Sequence, residues 1–230
     1  MKPLMSESKD NSSLEALGRA SVQIVHDLKN QINGLKLYAT FLRKRSERSE
    51  RPADEVETIN KLIMGLDRTA ADLSMIVELG QPLELNKHAG VNLTNLLQKV
   101  TANVNESPRV TGALQGPVLI EVDQQPLSGE FDAPKLEQAF KAISASALKL
   151  LGSKTPDASL NVVLQRGTNG SNAEGIIDWK GFGSFEHDPF HAFAGSDGIR
   201  LSLAARIVEA HGGSAEKHDD ALRVRLPITS

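Results

Sequence analysis

Apolar residues recur along the first eighty positions at alternating intervals of three and four. Leu14, Leu17, Ile24, Leu28, Leu35, Tyr38 and Leu42 form one seam, the spacing of a heptad stripe along a long helix. Ser21 and Gln31 are its polar exceptions, and Val25, Ile32 and Ala39 widen it. Ser12 or Ser13 offers a cap, with Glu15 in the first turn. The run RKRSERSERPAD over 43–54 breaks the pattern, and Pro52 marks a turn. A second seam follows through Val56, Ile59, Leu62, Ile63, Leu66, Ala70, Leu73, Ile76 and Leu79, and it stops at Gly80 and Pro82. The pattern predicts a hairpin of two long helices. Stripes this wide are buried in a four-helix bundle, and one hairpin supplies only two helices, so the pattern also predicts a homodimer.

Beyond Val91 the period changes. VNLTNLLQKV (91–100) reads as a helix, and PVLIEVD (117–123) and residues 127–131 read as strands. FDAPKLEQAFKAISASALKLLG (131–152) is a strand end running into an amphipathic helix. SLNVVLQRG and EGIIDWKG are strands, GIRLSLAARIVEAHGG is a helix closed by glycines, and ALRVRLPI is a final strand. The predicted fold class is α+β: a helical hairpin forming a dimeric bundle, then an α/β sandwich with helices on one face of a mixed sheet. The predicted divisions are a disordered polar tail over 1–12, the hairpin over 13–84 and the sandwich over 91–230.

Composition narrows the chemistry. The 230 residues are 40% hydrophobic and 24% charged, with a net charge of −3. That is ordinary soluble globular material, and its surface suits protein partners rather than nucleic acid. There is no cysteine, so disulfide, thiolate and cysteine–zinc chemistry are excluded. No apolar run is long enough for a membrane span, and MKPLMSESKDNSS lacks a signal core, so no membrane association and a cytoplasmic location are expected. His187, His191, His211 and His218 do not make a metal spacing, because Pro189 argues against a helix that would align the first two. His211 precedes Gly212 and Gly213, the expected end of the last helix, where a cation is favourable.

The stretch QIVHDLKNQINGLKLYA (23–39) carries the clearest candidate chemistry. His26 falls outside the seam and is expected to face solvent. Asp27 adjoins it, and Asn30 follows on the same face about one turn on. An exposed imidazole beside a carboxylate is a nucleophile whose ring the carboxylate orients and whose proton it takes up. An amide one turn away is placed to hold a water or a phosphoryl oxygen.

His26-Asp27-Leu28-Lys29-Asn30 resembles the phosphoacceptor box of two-component histidine kinases: a histidine, an acidic residue, two residues, then Thr or Asn, on the first helix of a dimerising hairpin. The resemblance continues through FDAPKLEQAFKAISASALKL (the asparagine helix of the ATP site), HDPFHAF (the phenylalanine box), DGIRLSLAARIVEAHGG (the last glycine box and its helix) and RVRLPI (the closing strand). It implies a phosphoryl group carried on His26, with Asp27 assisting transfer and Asn30 positioning water when a receiver is dephosphorylated. It implies response-regulator receiver domains as partners and, in a relay, an upstream histidine kinase.

The resemblance weakens where ATP binds. The two asparagines of the family's helix fall on Ala142 and Ser146, and the aspartate of its first glycine box falls on Trp179, ahead of Gly181 and Gly183. Asp178 lies one residue early, on the other face of a strand. The last glycine box keeps Gly198 but gains Asp197 and Arg200. Side chains at a helix N-terminus obstruct the bare amides that hold phosphate. The expectation is therefore a cytoplasmic phosphorelay protein that exchanges a phosphoryl group between His26 and a receiver aspartate, with no nucleotide cofactor. Gly181, Gly183 and Gly198 would be remnants of an ATP site. The alternatives are an active soluble histidine kinase using ATP and magnesium, and an interaction module without chemistry.

Overall fold

A computed structural model describes residues 25, 27–46, 53–106, 117–122, 126–152, 159–170, 172–181, 188–191 and 195–229. It divides the chain into two units between Pro82 and Leu83. The predicted tail over 1–12, His26 and Gly183 lie outside the described residues.

The first unit holds two helices, α1 (residues 27–46, with residue 25 also helical) and α2 (Ala53–Gly80). Asp54 and Glu55 stand in the first turn of α2, where the helix dipole favours carboxylates. Lys36 of α1 pairs with Asp67 of α2. The face that α1 turns inward is set by Val25, Ile32, Ala39 and Ser46, of which Ala39 and Ser46 are buried. The residues of the predicted main seam stay open: Leu28 is 44% exposed, Leu35 56%, Tyr38 69% and Leu42 54%. Leu28, Leu35 and Leu42 repeat every seven residues as the inward set does but lie about a sixth of a turn from it on the helix, with Tyr38 farther round. One neighbouring helix covers only one of the two sets.

In the second unit a five-stranded sheet runs in the order β2-β4-β5-β7-β6. Its strands are β2 (Val118–Val122), β4 (Leu160–Asn169), β5 (Asn172–Lys180), β6 (Ser214–His218) and β7 (Ala221–Pro227). β2 and β4 are parallel and the other pairings antiparallel. A separate antiparallel pair joins β1 (His88–Asn92) to β3 (Ser128–Phe131). Helices α3 (Leu93–Glu106), α4 (Ala133–Gly152) and α5 (Gly195–Ala210) cover one face. Leu160, Val162, Leu164, Ile177, Trp179, Leu222, Val224 and Leu226 alternate along the strands and are buried beneath them. The mixed sheet with helices on one face is the predicted sandwich.

Two strands escaped the sequence pattern. β1 takes Val91 and Asn92, which the reading gave to the helix. Asn92 instead ends the strand and caps α3, its Oδ1 accepting the Asn95 N–H at 3.2 Å. β6 is the outer strand of a tight hairpin through Asp219, whose φ of 49° is left-handed.

The opposite sheet face is charged. Arg223 donates from Nε and Nη2 to the two carboxylate oxygens of Asp178, both at 2.7 Å. Arg225 donates to Glu174 at 2.7 Å and to Glu216 at 3.3 Å. Asp178 and Glu174 are buried on this face, opposite the strand positions packed under the described helices. The hydrogen bond to Asp178 raises the Arg223 pKa despite burial, and the bond to Glu174 does the same for Arg225.

Helix termini fix the connections. Asp132 caps α4, its Oδ1 accepting the Lys135 N–H at 3.0 Å while Oδ2 accepts the Asn86 N–H at 2.8 Å. α5 ends in a Schellman turn: Gly212, at φ 81°, donates to the Glu209 carbonyl and Gly213 to that of Val208. A Cβ on Gly213 would run into the Arg225 carbonyl oxygen. The expected cation at His211 is corrected here. The ring is 2% exposed; Nδ1 donates to the Ile207 carbonyl at 2.7 Å and Nε2 accepts the Asp132 N–H at 3.0 Å. A carbonyl can only accept and an amide N–H can only donate, so this arrangement requires the neutral ring. Burial accordingly lowers its pKa from the ordinary 6.5.

Candidate functional site

Asp27 and Asn30 both lie on α1 and both are solvent-exposed. They are three residues apart on a regular helix, so their Cβ atoms are one turn apart on neighbouring lines. The third member of the predicted group, His26, falls outside the described residues. The face of Asn30 continues through Gly34, Leu37 and Phe41, at intervals of four, three and four. Leu37 is 56% exposed and Phe41 60%. This apolar strip lies off the seam of Leu28, Leu35, Tyr38 and Leu42. The sequence reading overlooked it, although the spacing from Asn30 was available to find it.

The residues aligned with an ATP site lie in the second unit. Trp179, near the end of β5, is fully buried against α4. Its ring centroid is 6.0 Å from that of Phe140, and its Nε1 donates to the Ser144 hydroxyl at 2.9 Å. The indole is an integral part of the helix–sheet core, with its one donor satisfied. Asp178, the neighbouring carboxylate, faces the other side of the sheet and is held by both arms of Arg223. The strand alternation expected for that one-residue offset is observed.

On α4, Ala142 is half-buried and offers only a methyl group. Ser146 is 2% exposed, and its hydroxyl is buried without a hydrogen-bond partner among the described residues. At the start of α5, Asp197 already supplies an anion to the first helical turn. Lys149 of α4 donates to Asp197 at 2.7 Å, and an Arg200 Nη1 lies 3.8 Å from the same oxygen. Gly198 is buried within the first turns of α5. Gly181 has a φ of 111°, which side chains rarely adopt, and donates to the Asp220 carbonyl at 3.3 Å. That turn accounts for Gly181 without a ligand. Asp27 and Asn30 thus belong to one unit and Gly181 and Gly198 to the other.

No protein-family model and no curated protein matches the chain. Solved structures resemble it. Full-length ShkA in complex with AMPPNP superposes with a TM-score of 0.69 at 18% identity over 90% of this chain. ThkA, a histidine kinase in complex with the response regulator TrrA, gives 0.62 at 18% identity over 97%. The Acinetobacter baumannii histidine kinase AdeS gives 0.55 at 15% identity over 85%. The chain spans 45% of the length of the ShkA chain, 65% of ThkA and 96% of AdeS. At such identities the likeness is one of fold. No helix among the described residues is long and apolar enough to cross a membrane.

Proposed function

We propose that this chain, whose fold is that of the two-component histidine kinases, is a phosphorelay protein that carries a phosphoryl group on His26 without using ATP. The group is exchanged with, or drained from, an aspartate of a response-regulator receiver. In the transfer, an imidazole nitrogen attacks the phosphorus of the receiver's aspartyl phosphate. The P–N bond forms, the P–O bond to the receiver breaks, and the carboxylate leaves as an anion. Asp27 orients the ring and holds its proton, and Asn30 positions water when the receiver is to be dephosphorylated.

The observation that carries the ATP-independent part is Trp179. An adenine-reading carboxylate is replaced by an indole locked between Phe140 and Ser144. Ala142 and the buried Ser146 give magnesium no accessible oxygen of the kind it prefers. Asp197 sets a negative charge where phosphates would approach. This set is a poor fit for a magnesium nucleotide, and no step is routed through one.

Two surfaces of the hairpin suit the partners. The open seam of Leu28, Leu35, Tyr38 and Leu42 matches a second copy of the hairpin in a four-helix bundle. The strip of Leu37 and Phe41, in line with Asn30, suits a receiver domain. ThkA, of like fold, is a partner of a response regulator.

The deciding experiment pairs calorimetry of ATP with magnesium against phosphotransfer from a phosphorylated receiver. No measurable nucleotide binding together with transfer to His26 is expected. Tight ATP binding with label incorporated at His26 would instead make the chain an active kinase. Absence of both would leave an interaction module.

A further inference from the structure

Among the described residues, His191 lies within hydrogen-bonding distance of a carboxylate held in a turn. Its Nδ1 lies 2.9 Å from Asp188 Oδ2. The second oxygen of Asp188, Oδ1, accepts the Phe190 N–H at 3.0 Å, and the Asp188 carbonyl accepts the His191 N–H at 3.3 Å. The carboxylate is thereby clamped in a turn and aimed at the ring. The turn is anchored in its own unit. Phe190 is fully buried, and its carbonyl accepts the hydroxyl of buried Ser202 on α5 at 2.8 Å. The histidine side chain itself remains 56% exposed. An ionised carboxylate only accepts, so Nδ1 carries the proton and, in the neutral ring, the lone pair stands on Nε2. Nε2 has no partner among the described residues.

The geometry points to His191 as a second phosphoryl-accepting imidazole, oriented by Asp188 and served by acyl phosphates. The Nε2 lone pair attacks phosphorus, the P–Nε2 bond forms, and the P–O bond of the acyl phosphate breaks. The donor's carboxylate leaves as an anion and needs no proton. The ring becomes a phosphoimidazolium whose positive charge is held against Asp188, with the proton kept on Nδ1. Neither nucleotide nor metal enters the step. The site does not depend on His26 and belongs to the other unit of the chain.

The test uses acetyl phosphate as the donor and the full chain carrying His26→Ala. Acid-labile phosphohistidine is mapped by mass spectrometry at neutral pH. Modification of His191 is expected in this variant, and its loss by at least about tenfold on adding His191→Ala. Asp188→Asn keeps an oxygen for the Phe190 N–H but turns a donor toward the ring, which reverses the tautomer. On the His26→Ala background it is expected to slow modification about 100-fold, because the proton then sits on Nε2, with an unchanged circular dichroism spectrum and melting temperature. The proposal is overturned if His26→Ala carries no more phosphohistidine than the double variant, or if Asp188→Asn is modified at the same rate. Modification of wild type at His26 alone would support the relay reading and remove this one. Modification at His191 alone would do the reverse.

Discussion

Exchanging His26 for alanine removes the atom on which the proposed transfer depends, while the sequence pattern puts the position outside the apolar seam. Phosphotransfer from a receiver is expected to vanish, with a stability change inside the ±0.5 kcal/mol or so typical of surface sites. Asp27→Asn is expected to slow transfer about 10²–10⁴-fold without abolishing it. Asn30→Ala is expected to spare transfer and reduce receiver dephosphorylation, since only that step needs a positioned water. Rapid-quench transfer assays separate the three. At Trp179 the expectation concerns stability. Trp179→Ala removes a buried indole and leaves the Ser144 hydroxyl without its donor, so a loss of about 3–5 kcal/mol in urea unfolding of the second unit is expected. The sequence placed the indole at the site of a missing carboxylate, but its bond to Ser144 could not be read. A serine one turn from a phenylalanine on a helix carries no mark of what it faces.

At the level of elements, the helices and central strands were legible because each keeps a full period of 3.6 or 2 over many residues. β1 and β6 have five residues each and are mostly part-exposed, so alternation has no room to show. His211 was misjudged for a related reason. Its place at a helix end was visible, but not the Asp132 amide that reaches it across 79 positions of sequence. Its burial carries a pH prediction. The unfolded chain protonates this ring near 6.5, whereas the folded chain resists protonation until a lower pH. The unfolded state therefore binds more protons once pH falls below about 6.5, and stability declines from there down to the folded pKa. Asp132 adds a second loss at stronger acidity. Burial tends to raise its pKa, but the Lys135 and Asn86 amides outweigh that and hold it below 3.8. The melting temperature of the second unit is expected to drop between pH 7 and 5.5, and His211→Gln to flatten that slope. In the other unit, a Cβ on Gly34 would meet nothing within 4 Å. Gly34→Ala is expected to stabilise α1 by about 0.8–1 kcal/mol. If the receiver docks close to this face, the same change weakens transfer, which a titration of receiver concentration detects.

For the whole molecule, the central expectation is assembly. Leu28, Leu35, Tyr38 and Leu42 were read as the main seam and Val25, Ile32 and Ala39 as its margin, whereas the single chain turns the margin inward, burying Ala39, and leaves the seam open. Periodicity reveals that a helix has apolar faces; it does not say which face meets its own chain and which a second copy. Light scattering at micromolar concentration is expected to give twice the 24.8 kDa chain mass. Leu35→Asp, which would bury a charge in the bundle, is expected to give the monomer while the second unit melts unchanged.

Trp179 also bears on the proposed independence from ATP. If the chain does without ATP as proposed, nucleotide use would need a carboxylate at position 179, and a single exchange would put that charge in an apolar core against Phe140. Asp178 is no substitute, because Arg223 holds it on the opposite face. On that proposal, an ATP site would require remodelling Phe140, Ser144 and Asp197 together. On the proposed ATP-independent reading the indole acts as a ratchet, leaving this chain to chemistry supplied by its partners.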